Sequence, residues 1–159
     1  MTDKKRCCIC CPGAGLLDAD WDKLPATRIV INDAATIVPE WTHFVMVDPD
    51  SEKQTAYDSG YVDGKPRIVC KWIYEYPGNT FHGDCVPVEC TPIGSFDLAV
   101  YYATKSGYDE ITVVGSDANG TRFREPANAF VDNYQEWCTR IIERVKSICS
   151  NAGVDIVFI

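Results

Sequence analysis

The sequence predicts an α/β domain: a mainly parallel central sheet flanked by helices, three layers in all. Three observations carry this. Short β-branched or wholly apolar runs recur along the chain, and most end in glycine, a small polar residue or an acid. Stretches with apolar residues at helical spacing lie between several of them. No internal repeat or low-complexity segment competes, so strands alternating with helical patterns imply parallel strands joined by crossovers. A chain of 159 residues is long enough for one such domain, residues 1–159.

The first strand is Cys7-Cys8-Ile9-Cys10-Cys11, an unbroken apolar run that reads as buried on both faces. Pro12, Gly13 and Gly15 break it into a tight turn. Leu17, Trp21 and Leu24 then have helical spacing, which predicts a short helix stopped by Pro25. Residues 27–33, Thr-Arg-Ile-Val-Ile-Asn-Asp, form a second strand with Asn32 and Asp33 at its carboxyl end. After the turn at Pro39-Glu40-Trp41, residues 42–47 form a third strand that runs into Asp48-Pro49-Asp50.

Residues 50–66 are polar, with Gly60, Gly64 and Pro66, and read as loop. Residues 67–76 look like a fourth strand, and 77–94 like a long functional loop rich in turn residues. Ser95 is expected to cap a helix over 96–106 that Gly107 closes. Residues 109–114 form a strand leading into Gly115-Ser116-Asp117, and the polar segment 118–126 contains Arg122 and Arg124. Residues 127–152 repeat apolar side chains with a helical period until Gly153, and 154–159 form a last strand.

Composition removes several function classes. A net charge of −8 argues against a nucleic-acid binder, which must neutralise phosphates with clustered Lys and Arg. The basic start Lys4-Lys5-Arg6 precedes an apolar run too short for a signal peptide or a membrane span, so a soluble, cytoplasmic protein is expected. Four of the nine cysteines lie in the first strand, where neighbours point to opposite faces. They therefore cannot converge on one metal, and they read as buried thiols that pack as small hydrophobes. Cys85 and Cys90 with a more distant cysteine are the one candidate zinc set, and Asp48 with Asp50 or Asp117 the one candidate magnesium set. Neither has a specific spacing, and no metal is assigned.

Parallel sheets bind ligands at the carboxyl ends of their strands. Those ends here present Gly13-Ala14-Gly15, Asn32-Asp33, Asp48 and Ser116-Asp117, and Gly94-Ser95 joins them if its helix packs beside the first strand. Glycine backbone N–H groups suit phosphate, Asn32 or Asp33 a sugar hydroxyl or base edge, and Ser95 a second phosphate contact. The binding candidates are thus Gly13, Ala14, Gly15, Asn32, Asp33, Gly94 and Ser95. His43 starts a strand, whereas His82 lies in the 77–94 loop and can reach over this edge. His82 and Asp117 are the candidate catalytic residues. No Gly-x4-Gly-Lys-Ser/Thr loop and no Gly-x-Ser-x-Gly elbow is present.

The order of these pieces resembles two related groups. The pieces are Pro12-Gly13-Ala14-Gly15-Leu16, Leu24-Pro25, the strand ending at Asn32, Asp48-Pro49, Gly94-Ser95, and Gly107-Tyr108-Asp109-Glu110-Ile111 leading to Val114-Gly115-Ser116-Asp117. The groups are the bacterial single-domain sialyltransferases and the motility-accessory-factor-like proteins, both Rossmann-like. The resemblance spans residues 7–159 with short, degenerate motifs. It implies a Rossmann-like fold and a nucleotide, favoured as cytidine type, held by Gly13, Gly15, Asn32, Gly94 and Ser95. It also implies metal-independent sugar transfer, with a histidine base and tyrosines placed after the strand that here ends at Asp117. The chain has no histidine beyond His82, and only Tyr134 among tyrosines after Asp117.

Together these readings predict a nucleotide or nucleotide-sugar binding Rossmann-like protein, either a small metal-independent glycosyltransferase or a nucleotide binder without that chemistry. By fold-level analogy alone its compactness suggests a phage or mobile-element product. Two alternatives stand beside it. Asp33 lies twenty residues after Gly13, where an acid holds a ribose hydroxyl in nicotinamide dinucleotide sites, although Asp18 replaces the third glycine of that fingerprint. Alternatively the chain is a non-enzymatic homo-oligomer that packs through exposed aromatics such as Trp41, Trp72 or Trp137.

Overall fold

The strands align in one open sheet of seven, in the order β5-β4-β3-β2-β1-β6-β7, and every pairing is parallel. In this computed structural model, residues 3–47, 64–79, 81, 83–116 and 134–159 are described. The strands are β1 (Arg6–Cys10), β2 (Arg28–Ile31), β3 (His43–Val45), β4 (Arg67–Cys70), β5 (Cys85–Val88), β6 (Glu110–Val114) and β7 (Asp155–Phe158). Among the described residues the α-helices are α1 (Lys71–Tyr74), α2 (Ser95–Lys105) and α3 (Tyr134–Ala152). This is the Rossmann-like α/β architecture that the alternating pattern predicts. Among the described residues no helix is long and apolar enough to cross a membrane.

Side-chain alternation along β1 organises the core. Cys7, Ile9 and Cys11 point to one face, where they pack with Ile29, Ile31, Leu98, Ala99, Ile141 and Val145 beneath α2 and α3. Cys8 and Cys10 point to the other, against Leu16, Val30, Ala34, Trp41, Phe44 and Met46. Leu98 is fully buried, and truncating such a residue to Ala costs about 2–5 kcal/mol. The nine cysteines are all free thiols, seven of them buried, as expected of residues that pack as small hydrophobes. Cys8 Sγ and Cys10 Sγ lie 3.7 Å apart, and that contact, with burial, pushes the Cys10 thiol well above its ordinary value.

Several elements depart from the sequence expectation. The helix expected between β1 and β2 is two 3-10 helices, Ala14–Asp18 and Trp21–Lys23. Gly13 offers no capping side chain and the first turn holds no acid, so nothing nucleates a longer helix. Leu16 rather than Leu17 enters the core; Leu17 is 61% exposed. The strand expected over 67–76 stops at Cys70 and becomes α1, which buries Ile73 and exposes Trp72 and Tyr74. Within the expected 77–94 loop lies β5, whose Pro87 is tolerated because β5 is an edge strand. The start of the last helix is described from Tyr134, and residues 127–133 of that expectation lie outside the described residues.

Two buried arginines brace the amino-terminal edge of the sheet. Arg28 donates to Pro39 O at 2.6 Å and Trp21 O at 3.0 Å. Arg67 is fully buried, with its guanidinium 5.5 Å from the Phe44 ring, and burial lowers its pKa to about 10. Neither was anticipated from the sequence, because each begins an apolar strand as an ordinary flanking charge would.

Candidate functional site

From β1 the chain adds β2, β3, β4 and β5 on one side, then returns to place β6 and β7 on the other. The order therefore reverses between β1 and β6, the position at which open α/β sheets bind ligands beyond their strand ends. Here the two strand ends are zipped together. Cys11 N–H donates to Val114 O and Gly13 N–H to Gly115 O, both at 2.8 Å.

Gly115 makes the close approach possible. It has a φ of +71°, and a Cβ on it would lie 2.4 Å from Cys11 O and 3.3 Å from Gly13 N. Gly13 itself is extended at φ −85°, so any residue can adopt its backbone conformation. Sequence reasoning singled out the Gly13 turn and overlooked Gly115, although Gly115 directly follows a clear strand. Past Gly13, the half-buried Ala14 and exposed Gly15 open a five-residue 3-10 helix. That segment is too short to present the macrodipole of a full helix to a phosphate.

Asn32 ends β2 at the same edge. It adopts φ +48°, the left-handed region that favours Asn among non-glycine residues. Its side chain is only 8% exposed, and Oδ1 finds no hydrogen-bond partner among the described residues. A buried amide carbonyl left unpaired costs about 1–3 kcal/mol. Backbone strain and an orphaned acceptor on one residue form the chemical anomaly of this edge. Asp33 follows, half-buried, and its carbonyl accepts the Thr36 hydroxyl at 2.7 Å.

Gly94 and Ser95 reach the edge through α2, which crosses β1 to β4 on its way to β6. The N-cap is Gly94 and not Ser95, which is the first helical residue. Ser95 Oγ accepts the Val47 N–H at 3.2 Å, fastening the helix start to the end of β3. The Gly94 N–H donates to Asp97 Oδ1 and the Ile93 N–H to Asp97 Oδ2, each at 2.8 Å. Asp97 is 1% exposed and also accepts Arg144 Nε at 2.7 Å. This carboxylate occupies the positive end of α2 that a phosphate would need. Glycine at 94 has a packing reason as well, since a Cβ there would lie 3.2 Å from both Ile141 and Trp137 on α3.

The remaining candidates divide between placed and undescribed. His82, Asp117, Asp48 and Asp50 lie outside the described residues, as do Arg122 and Arg124. Among the described residues no group of three or more His, Cys, Asp or Glu side chains could hold a metal ion, so Cys85 and Cys90 gather no third ligand there. His43 sits at the opposite, amino-terminal edge, with Nδ1 2.8 Å from Thr42 Oγ1 and its ring 5.5 Å from that of Tyr102. Of the three tryptophans expected to be exposed, Trp41 is buried with Nε1 donating to Ala35 O, and Trp137 is half-buried against the core. Trp72 is 56% exposed.

Trp72 belongs to a second concavity at the same edge, beyond the ends of β4 and β5. It has a volume of about 400 Å³ and is lined by Lys71, Trp72, Glu75, Glu89, Cys90 and Thr91. Lys71 Nζ donates to Glu89 Oε1 across it at 3.0 Å. The sequence hid this concavity because it depends on α1 and β5, the two elements not predicted. No protein-family model matches the chain, and no curated protein matches it in sequence.

Proposed function

We propose that the protein binds a nucleotide or nucleotide-sugar at the carboxyl edge, above the Gly13–Gly115 pair and against Asn32. The orphaned Oδ1 of Asn32 is the observation that carries this reading. It is an acceptor, so the group it receives is a donor: a ribose hydroxyl or the exocyclic amine of a base, not a phosphate oxygen. A cytidine, adenine or guanine nucleotide offers both kinds of donor, and the sequence resemblance favours cytidine. With the α2 terminus engaged by Asp97, phosphate contacts fall to the turn at Gly13, Ala14 and Gly15 and to the hydroxyl proton of Ser95.

Metal-independent transfer of a sugar from such a nucleotide is the enzymatic form of the proposal. The reaction class rests on the resemblance, whereas His82 is the candidate general base by its place in the 77–94 loop and Asp117 a candidate catalytic residue by its place after β6. The test is a thermal-shift series with cytidine, uridine, guanosine and adenine nucleotides, with and without magnesium. A ligand at about 100 times its dissociation constant adds about 2.7 kcal/mol to stability. A cytidine-selective rise that disappears in Asn32→Gly supports the reading and justifies a transfer assay. A flat response to all four nucleotides overturns it and leaves the non-enzymatic oligomer as the hypothesis to pursue by light scattering.

A further inference from the structure

Cys70, in the core, and Cys90, packed against it, form a pair that the ligand reading does not use. Cys70 is the last residue of β4, where it pairs in register with Val88 of β5. Beyond Val88 the chain turns back on itself, with Cys90 N–H donating to Val88 O at 3.1 Å. That turn returns Cys90 toward Cys70, whose Sγ donates to Cys90 O at 3.1 Å. Of the nine free cysteines only Cys85 and Cys90 are not buried, and Cys90 forms part of the wall of the 400 Å³ concavity. Cys85 sits beside Arg67 instead. One thiol of the pair is thus reachable from solvent, and the other waits behind it.

We infer that Cys70 and Cys90 are a reversible thiol–disulfide site, oxidised by a small disulfide of the glutathione type that enters through the concavity. The Cys90 thiolate attacks one sulfur of the oxidant; its S–S bond breaks, one glutathione leaves as thiolate, and a mixed disulfide forms on Cys90. Cys70, deprotonated, then attacks the Cys90 sulfur and expels the second glutathione. The protein loses two electrons and two thiol protons, and one oxidised glutathione becomes two reduced ones. The product ties the end of β4 to the segment that enters α2 at Gly94, closing a loop with a sequence separation of 20. Burial pushes the Cys90 thiol up to about 12, so this is a slow sensor and not a fast catalytic thiol.

The experiment treats the folded full chain with oxidised glutathione at about pH 8.5, near the ordinary cysteine value, followed by non-reducing peptide mapping and thiol titration in denaturant. The expected result is loss of two of the nine titratable thiols, a Cys70–Cys90 cross-link and a melting temperature raised by several degrees, all reversed by dithiothreitol. Cys90→Ser should abolish the cross-link and leave Cys70 without glutathione, whereas Cys70→Ser should trap a glutathione on Cys90. Should Cys70→Ser not fold, the wild-type map and the half-buried Cys90→Ser variant decide alone. A wild-type chain that keeps a stable glutathione on Cys90, cross-links a different pair, or reacts only once unfolded overturns the inference.

Discussion

Arg144 Nε donates to Asp97 Oδ2 at 2.7 Å, and the same arginine's other nitrogen donates to Thr91 O at 2.7 Å, so one guanidinium of α3 clamps both α2 and the segment leading into it. Asp97 is buried and holds the N–H groups of Ile93 and Gly94 as well. The two partners should therefore not be equivalent. Arg144→Met leaves the carboxylate with its two backbone donors, and because Arg144 is 39% exposed its loss should cost only about 1–2 kcal/mol. Asp97→Ala removes three charge-assisted bonds and uncaps the helix, for about 3–5 kcal/mol. Urea midpoints at unchanged m-value give both numbers, and equal costs would refute the asymmetry.

Gly115 and Gly107 offer a controlled comparison. Both have positive φ, +71° and +75°, but a Cβ at 107 meets nothing within 4 Å, whereas at 115 it collides with Cys11 O. Gly107→Ala should cost about 1 kcal/mol, the conformational penalty alone. Gly115→Ala must also part the β1 and β6 ends, and we expect a loss of at least about 3 kcal/mol together with loss of any nucleotide-induced shift. If both alanine variants melt alike, the close approach at the switch point is not what glycine provides there.

What the sequence disclosed and what it concealed follow from the range of the forces involved. The alternation of Cys7, Cys8, Cys10 and Cys11 across β1 needs only strand geometry, and the structure sorts them onto two faces as expected. The period of α2 and α3 was likewise legible, since it repeats over several turns. β5 was not, because its signal is four residues with Pro87 among them, and only its place at the edge of the sheet makes that proline acceptable. Asp97 looked like the polar face of an amphipathic helix; its burial depends on Arg144, which is 47 residues away. Asn32 was recognised as a strand-end residue, but its strain and its orphaned carbonyl are tertiary facts.

His43 gives stability a sign with pH. Burial, and then the charge of Lys5, hold its imidazole below the ordinary value of 6.5. The Tyr102 ring is its aromatic neighbour, and Thr42 Oγ1 contacts Nδ1. A group depressed in the folded state binds more protons when unfolded, so its contribution is full above the unfolded value and is lost as pH falls through it. The urea midpoint should drop between about pH 7 and pH 5, and His43→Gln should flatten that part of the profile. His82, the other of the two histidines, serves as the control: an unchanged slope in His43→Gln that disappears in His82→Gln assigns the effect to the wrong residue.

Asn32→Gly separates stability from binding. Glycine adopts φ +48° without strain and removes the buried carbonyl that lacks a partner. Its greater chain entropy when unfolded costs about 0.5–1 kcal/mol, against about 1–3 kcal/mol released by deleting the orphan. The ligand-free variant should therefore be more stable than the wild type, by about 1 kcal/mol, while losing the stabilisation that a cytidine nucleotide confers. A residue that weakens the free protein and strengthens the complex marks a binding site, because there the cost of an unmet hydrogen bond is recovered only from the ligand. If Asn32→Gly is instead less stable without ligand, the Oδ1 has a structural partner, and the nucleotide must be sought elsewhere along the carboxyl edge.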